Sequence, residues 1–237
     1  MLEIIAHRGL WQETKNPSDK SAQNTLKAFE RAFESGFGVE TDLRDFAGQI
    51  VISHDIATPK APPLREFLTL HASFCTPHFT PPLALNIKAD GLQALLKGAL
   101  SDFGGEYFTF DMSLPDTLGY AHSGLRFYLR QSEFEPRPSR ALGEIYKNAS
   151  GVWLDGFFEN FLRQRHILEH LKNGKKLCIV SPELHNLNFE KEWKKLRQIL
   201  RKIHENSENL GLCEQNLRQI ALCTDYPQRA REFFNKI

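Results

Sequence analysis

Eight short β-rich runs alternate with stretches of helical period along this 237-residue chain, and few folds accommodate that order. The runs lie near residues 2–6, 38–43, 83–88, 107–111, 125–130, 152–155, 177–180 and 219–224. Parallel strands need a crossover of a dozen or more residues, and eight of them joined by helices close an α/β barrel. The predicted fold is therefore α/β, a (β/α)8 TIM barrel forming one domain over 1–237. Between the first two runs, Leu26, Phe29, Ala32 and Phe33 recur at helical spacing, with Asn24 or Thr25 as N-cap and Gly36 as a stop. A ninth run, 49–53, follows the second after too few residues for a crossover. It is predicted to return as an extra β-hairpin after strand 2, carrying His54 back toward the end of the strand it left. Proline-rich stretches at 58–63 and 76–82 read as loops, and 189–203 as an outer helix packing Trp193, Leu196 and Leu200 inward, a reading favoured over contact with anionic lipid.

Charge and cysteine usage exclude several classes of partner. Thirty Lys and Arg against 29 Asp and Glu leave a formal charge of +1, so no global field recommends nucleic acid. Cys75, Cys178, Cys213 and Cys223 are far apart and lie in no metal-binding spacing; Cys178 and Cys223 read as small buried side chains. No apolar run approaches the ~20 residues of a membrane span, and no basic leader opens the chain. A cytoplasmic protein without stable membrane insertion is expected.

Active sites of such barrels lie at the carboxyl ends of the strands, and here those ends are polar. The first closes in His7-Arg8-Gly9, the second carries Glu40-Thr41-Asp42, the hairpin ends in His54-Asp55 and the third strand holds Asn86-Ile87-Lys88. Side chains alternate along a strand, so Glu40 and Asp42 share one face, as do Asn86 and Lys88. Paired carboxylates suit a hard divalent ion such as Mg²⁺ or Ca²⁺. His7 and His54 suit a general acid and base, and Arg8 and Lys88 a phosphate group. Together these groups describe phosphodiester cleavage. The bland alternative makes Glu40 and Asp42 a structural ion pair with Arg8 or Arg44.

These motifs resemble the glycerophosphodiester phosphodiesterase family. His7-Arg8-Gly9, Asn24-Thr25, Glu40-Thr41-Asp42, His54-Asp55 and Thr224-Asp225-Tyr226-Pro227 follow the family's pattern in order. The resemblance implies a metal-dependent hydrolase that releases sn-glycerol 3-phosphate and an alcohol from a small phosphodiester of lipid metabolism. His7 and His54 are then the catalytic pair, Arg8 and Lys88 the phosphate contacts, and Glu40, Asp42 and Asn86 the metal ligands. The chain departs from the pattern at Gln23 and Asn86, where the family has Glu, and at Ser181-Pro182-Glu183-Leu184-His185 in place of a Trp-Thr motif. Asp111, Asp155 and Glu183 are candidates to replace the charge that Asn86 lacks. Two alternatives accompany this reading: a sphingomyelinase D-like lyase giving a cyclic phosphate, and a barrel that binds a phosphorylated ligand without turnover.

Overall fold

All eight expected runs, and the ninth, form strands in the computed structural model, which describes residues 2–12, 20–159 and 161–235. The fold is α/β, a (β/α)8 barrel with an extra β-hairpin after its second strand. The chain divides into two compact units, Ile5–Phe127 and Met1–Ile4 with Tyr128–Ile237.

In the unit Ile5–Phe127 the strands are β1 (Glu3–His7, from Ile5 onward), β2 (Gly38–Phe46), β3 (Gln49–Ile52), β4 (Leu83–Ile87) and β5 (Tyr107–Phe110). The helices are α1 (Leu26–Glu34), α2 (Leu64–Ala72), α3 (Gln93–Ala99) and α4 (Leu114–Ser123). β2 lies between β1 and β4 in parallel, and β5 follows β4. Every residue of β4 is buried, the continuous apolar signature of a parallel strand covered on both faces. β2 outruns its expected end because Leu43 to Phe46 pair with β3 in antiparallel register, Leu43 opposite Ile52 and Phe46 opposite Gln49. The two residues between them, Ala47 and Gly48, take φ of 49° and 77°, the pair of positive values that a type I′ turn requires.

α1 begins where its cap was expected. The Thr25 hydroxyl accepts from the Ala28 amide at 3.2 Å, and Ala28, Phe29, Ala32 and Phe33 form the buried face. Phe29 meets Phe67 of α2 edge-on with ring centroids 4.7 Å apart. Burying each such phenyl ring contributes about 1.5–3 kcal/mol.

In the other unit the strands are β6 (Tyr128–Gln131), β7 (Gly151–Leu154), β8 (Lys176–Val180) and β9 (Ile220–Thr224), consecutive parallel neighbours. Their connections carry α5 (Pro138–Ala141), α6 (Gly143–Asn148), α7 (Gln164–Lys172), a 3₁₀ turn (Pro182–His185), α8 (Phe189–Glu205), α9 (Ser207–Leu210), α10 (Glu214–Leu217) and α11 (Pro227–Phe234). β6 starts later than 125 because Phe127 makes only an isolated bridge to Thr109. α8 buries Trp193, Leu196, Leu200 and Ile203, and the Trp193 ring lies 5.6 Å from both Phe233 and Phe234. Its apolar face is thus occupied by packing. Among the described residues no helix is long and apolar enough to cross a membrane.

Candidate active site

The carboxyl ends of β1, β2 and β4 bring most of the expected polar residues together within the unit Ile5–Phe127. His7 closes β1 in register with Glu40, and its carbonyl accepts from Trp11 Nε1 at 3.1 Å. Arg8 and Gly9 then turn the chain, with φ of 56° and 86°. A side chain is excluded at Gly9, because a Cβ there would stand 2.8 Å from the Ala28 carbonyl carbon. The approach is set by Leu10, whose amide donates to the Ala28 carbonyl at 2.8 Å. β2 places Glu40 and Asp42 on one face as the alternation predicts, and both are fully buried. Asp42 stands in register with Asn86.

Asp42 is the hub of this cluster. Asn24 Nδ2 donates to its Oδ2 at 2.8 Å, Arg8 Nε lies 2.9 Å from the same oxygen, and Lys88 Nζ lies 3.4 Å from Oδ1. The Arg8 and Lys88 contacts are ion pairs without hydrogen-bond alignment, so Arg8 Nε, Asp42 Oδ1 and also Asn86 Oδ1 are buried atoms lacking a hydrogen bond among the described residues. Burial pushes the Asp42 carboxyl upward, but the Arg8 and Lys88 charges and the Asn24 hydrogen bond outweigh it and hold the group below the usual carboxylate range. Glu40 goes the other way. Burial, followed by the charge of Asp42, raises its pKa to about 7, against the opposing charges of His7 and Arg8. Its Oε2 lies 3.8 Å from His7 Nε2 and accepts from the Arg8 amide at 3.3 Å.

The hairpin delivers His54 as expected. Ser53 N donates to the Asp42 carbonyl at 3.0 Å, and His54 lies close enough for its charge to lower the Asp42 pKa. Its ring remains half exposed, with Nδ1 2.9 Å from the solvent-facing carboxylate of Asp55.

Sequence reasoning left Asn24 out of the site. Its amide spans Asp42 and the Thr41 hydroxyl, which donates to Asn24 Oδ1 at 2.9 Å, and its φ is 57°. Asparagine is one of the few residues that adopts this conformation readily, and the Asn24-Thr25 motif marks the position without giving the side chain a role. Asp111, just past β5, has φ of 66°. Arg8, Asn24 and Asp111 thus take positive φ just past β1, in the loop before α1 and just past β5. Gln23 accepts from Arg8 Nη1 at 3.3 Å, fixing the guanidinium rather than adding charge.

Two of the acids considered as replacements are engaged inside the other unit. Asp155, after β7, lies 2.5 Å from His185 Nε2, and the His185 ring lies 4.4 Å from that of Phe157. Glu183 accepts from the Ser181 and Thr224 hydroxyls and, at 3.0 Å, from the Asp225 amide, tying the ends of β8 and β9 together. Among the described residues, no group of three or more His, Cys, Asp or Glu side chains is arranged to hold a metal ion.

No family model matches this chain, and no curated protein matches it. Among solved structures it is similar to a crystal structure of dihydropteroate synthetase with Product1, at 12% identity and a TM-score of 0.47, covering 99% of this chain and 92% of that one. It is also similar to Plasmodium falciparum HPPK-DHPS, as wild type with pteroate (10% identity, TM-score 0.47) and as a triple mutant with SDX-DHP (8%, 0.45). This chain is covered fully in both cases and spans 47% of each of those chains. At such identities and scores, neither fold nor activity passes from these enzymes to this protein.

The family expectation is corrected accordingly. The similar solved structures are dihydropteroate synthases and not glycerophosphodiester phosphodiesterases, and no family model supports the motifs. With it go the phosphodiester hydrolase of lipid metabolism, the cyclising lyase and the ligand-binding barrel without turnover. The physical reason is that barrels of this class collect His, Asp, Glu, Asn and Lys at strand ends whatever their chemistry, so short motifs there report the architecture first. In the structure Asp42 pairs with Arg8, Lys88 and Asn24, and Asn86 stands in register with it.

Proposed function

We propose that the cluster around Asp42 is an acid–base site for a small anionic molecule, with a divalent cation, Mg²⁺ or Ca²⁺, as cofactor. Glu40, Asp42 and Asn86 are the residues that hold the cation. The fit rests on Asp42 Oδ1 and Asn86 Oδ1, buried oxygens on one face of neighbouring strands that lack hydrogen bonds and suit a hard ion. When bound, the ion supplies electrostatic polarisation of an anionic substrate oxygen.

The protein's own residues do the remaining work. Arg8 and Lys88 are about a fifth exposed, at 19% and 21%, and can turn from Asp42 to the substrate's phosphate or comparable anion. His7, beside Glu40, and the half-exposed His54 exchange the proton.

The observation that carries this reading over a purely structural ion-pair network is that Asp42 Oδ1 and Asn86 Oδ1 are buried side by side without a hydrogen bond among the described residues. A network serving stability alone would satisfy these oxygens, since a buried polar atom left unpaired is costly.

The test is cation titration by calorimetry and terbium luminescence competition. Wild type should bind Ca²⁺ or Mg²⁺, Glu40→Gln should weaken binding about tenfold or more, and Asn86→Glu should tighten it by a similar factor, since a charge near 4 Å is worth roughly 4 kcal/mol before desolvation. Absence of binding at millimolar cation, or weaker binding by Asn86→Glu, removes these residues from a metal role. If His7→Ala and His54→Ala leave an identified turnover unchanged, the acid–base assignment fails.

A further inference from the structure

The unit containing β6 to β9 holds a cavity of about 650 Å³ that shares no residue with the Asp42 cluster. Its size falls within the range of small-molecule sites, about 300–1,000 Å³. Two segments of chain build it: the stretch from Gln131 at the end of β6 to Arg140 in α5, and the stretch from Phe161 to Glu169 that leads into α7.

Four arginines, Arg137, Arg140, Arg163 and Arg165, line this cavity. Among the described residues none of them forms an ion pair with a carboxylate. Arg163 donates to the Leu162 carbonyl at 3.2 Å, and Arg165 Nε to His166 Nε2 at 3.4 Å. The two acids on the lining are occupied elsewhere. Glu133 accepts from the Phe157 and Phe158 amides at 3.0 and 2.9 Å, and Glu169 from the Ser139 hydroxyl. The carboxylates thus brace the walls without pairing with a guanidinium, and four arginines against two acids leave the lining net positive.

Three further observations point to an anionic occupant. α7 begins at Gln164 with no side chain capping its amides and no acid in its first turn, so the positive end of the helix dipole is unopposed at this wall. Arg137 has φ of 57° although Pro138 follows it, and a residue before proline favours extended backbone. His166 receives the Arg165 contact at Nε2, which leaves the ring proton on Nδ1, a buried donor with no hydrogen-bond partner among the described residues. Burial and the neighbouring Arg165 charge lower the pKa of His166, in keeping with that neutral form. The rings of Phe161 and His166 stand 5.0 Å apart at 34° and form an apolar wall.

We propose that this cavity is a second ligand site, binding a small molecule that carries a phosphate or pyrophosphate group. Guanidinium forks match tetrahedral phosphate oxygens in pairs, and several of them around one space suit a multiply charged ester better than a single carboxylate.

The experiment is isothermal titration calorimetry of the full chain at low salt with inorganic pyrophosphate, ADP and citrate as probes. Pyrophosphate or ADP should bind with a Kd below about 1 mM. Arg163→Glu and Arg140→Glu should each weaken binding about tenfold or more, while Lys194→Glu, the same charge change on the exposed face of α8, should alter it less than about twofold. Arg140→Gln serves where a charge reversal disturbs folding, judged by circular dichroism. No heat with either phosphate probe overturns the proposal. So does an equal loss in Lys194→Glu, or citrate binding as tightly as pyrophosphate. Asp42→Asn lies in the other unit and should leave this binding unchanged, so failure here is separable from failure of the site proposed above.

Discussion

Lowering the pH should destabilise this protein through one buried imidazole, His170 on α7. The ring is wholly buried and joins α7 to β6 and α6: Nε2 lies 2.5 Å from Gln131 Oε1, and Nδ1 lies 2.9 Å from the Tyr146 hydroxyl. Both contacts suit the neutral ring, with Nε2–H donating to the amide oxygen and Nδ1 accepting from the phenol. A second proton on Nδ1 would meet a donor and force the hydroxyl to turn. Burial is the main force lowering its pKa, to about 4 from 6.5, and the charge of Glu169 opposes it only in part. A histidine whose folded pKa is depressed takes up its proton first in the unfolded chain. Stability is thus intact above about pH 6.5 and is lost as the pH falls toward 4. Between pH 7 and 5 the loss works out at about 2 kcal/mol, and by pH 4 at about 3 kcal/mol. Urea unfolding of wild type and His170→Gln at pH 7, 6 and 5, followed by tryptophan fluorescence, isolates this contribution from other titrating groups. The variant should start less stable and lose about 2 kcal/mol less across that interval. Parallel stability–pH curves for the two proteins would refute the reasoning.

Asp42→Asn leaves Arg8 and Lys88 facing a neutral amide and should cost about 2 kcal/mol, less than for a wholly buried pair because both cations reach solvent; an unchanged urea midpoint would deny Asp42 its place as hub. Gly9→Ala adds a Cβ 2.8 Å from the Ala28 carbonyl carbon at a φ of 86°, and should lower stability by about 2 kcal/mol or more by the same assay. Ala47→Asn places a residue that tolerates positive φ beside Gly48 in the hairpin turn, and should raise stability by about 0.5–1 kcal/mol; a lower thermal midpoint would contradict the type I′ geometry.

What could be read in advance follows from how far apart the partners of each residue lie. The strands were legible because parallel strands bury both faces and stand out as apolar runs, as in β4 and β9. Their ends were less so: β2 extends to Phe46 because β3 pairs with it, and β6 begins at Tyr128 because Phe127 is held by a single bridge. Glu40 and Asp42 could be placed on one face from the alternation of a strand alone. Asn24 could not, since its function as a ligand of Asp42 depends on a backbone conformation and on a partner 18 residues away. The partners in the Asp155–His185 pair stand 30 residues apart, and the four arginines around the second cavity come from two separate stretches of chain, so no single period relates one to the next. The family resemblance failed for a related reason. The matched motifs are strand-end residues and caps, and such positions are polar in any barrel that uses its carboxyl ends for chemistry. What distinguishes one such site from another is the pairing among those residues. Here that pairing commits Asp42 to two cations and an amide, leaves Glu40 near neutrality with a pKa of about 7, and replaces a third acid with Asn86. A site so arranged gains its anion-binding charge only when something else takes Asp42, so cation and anion should bind together more tightly than either binds alone.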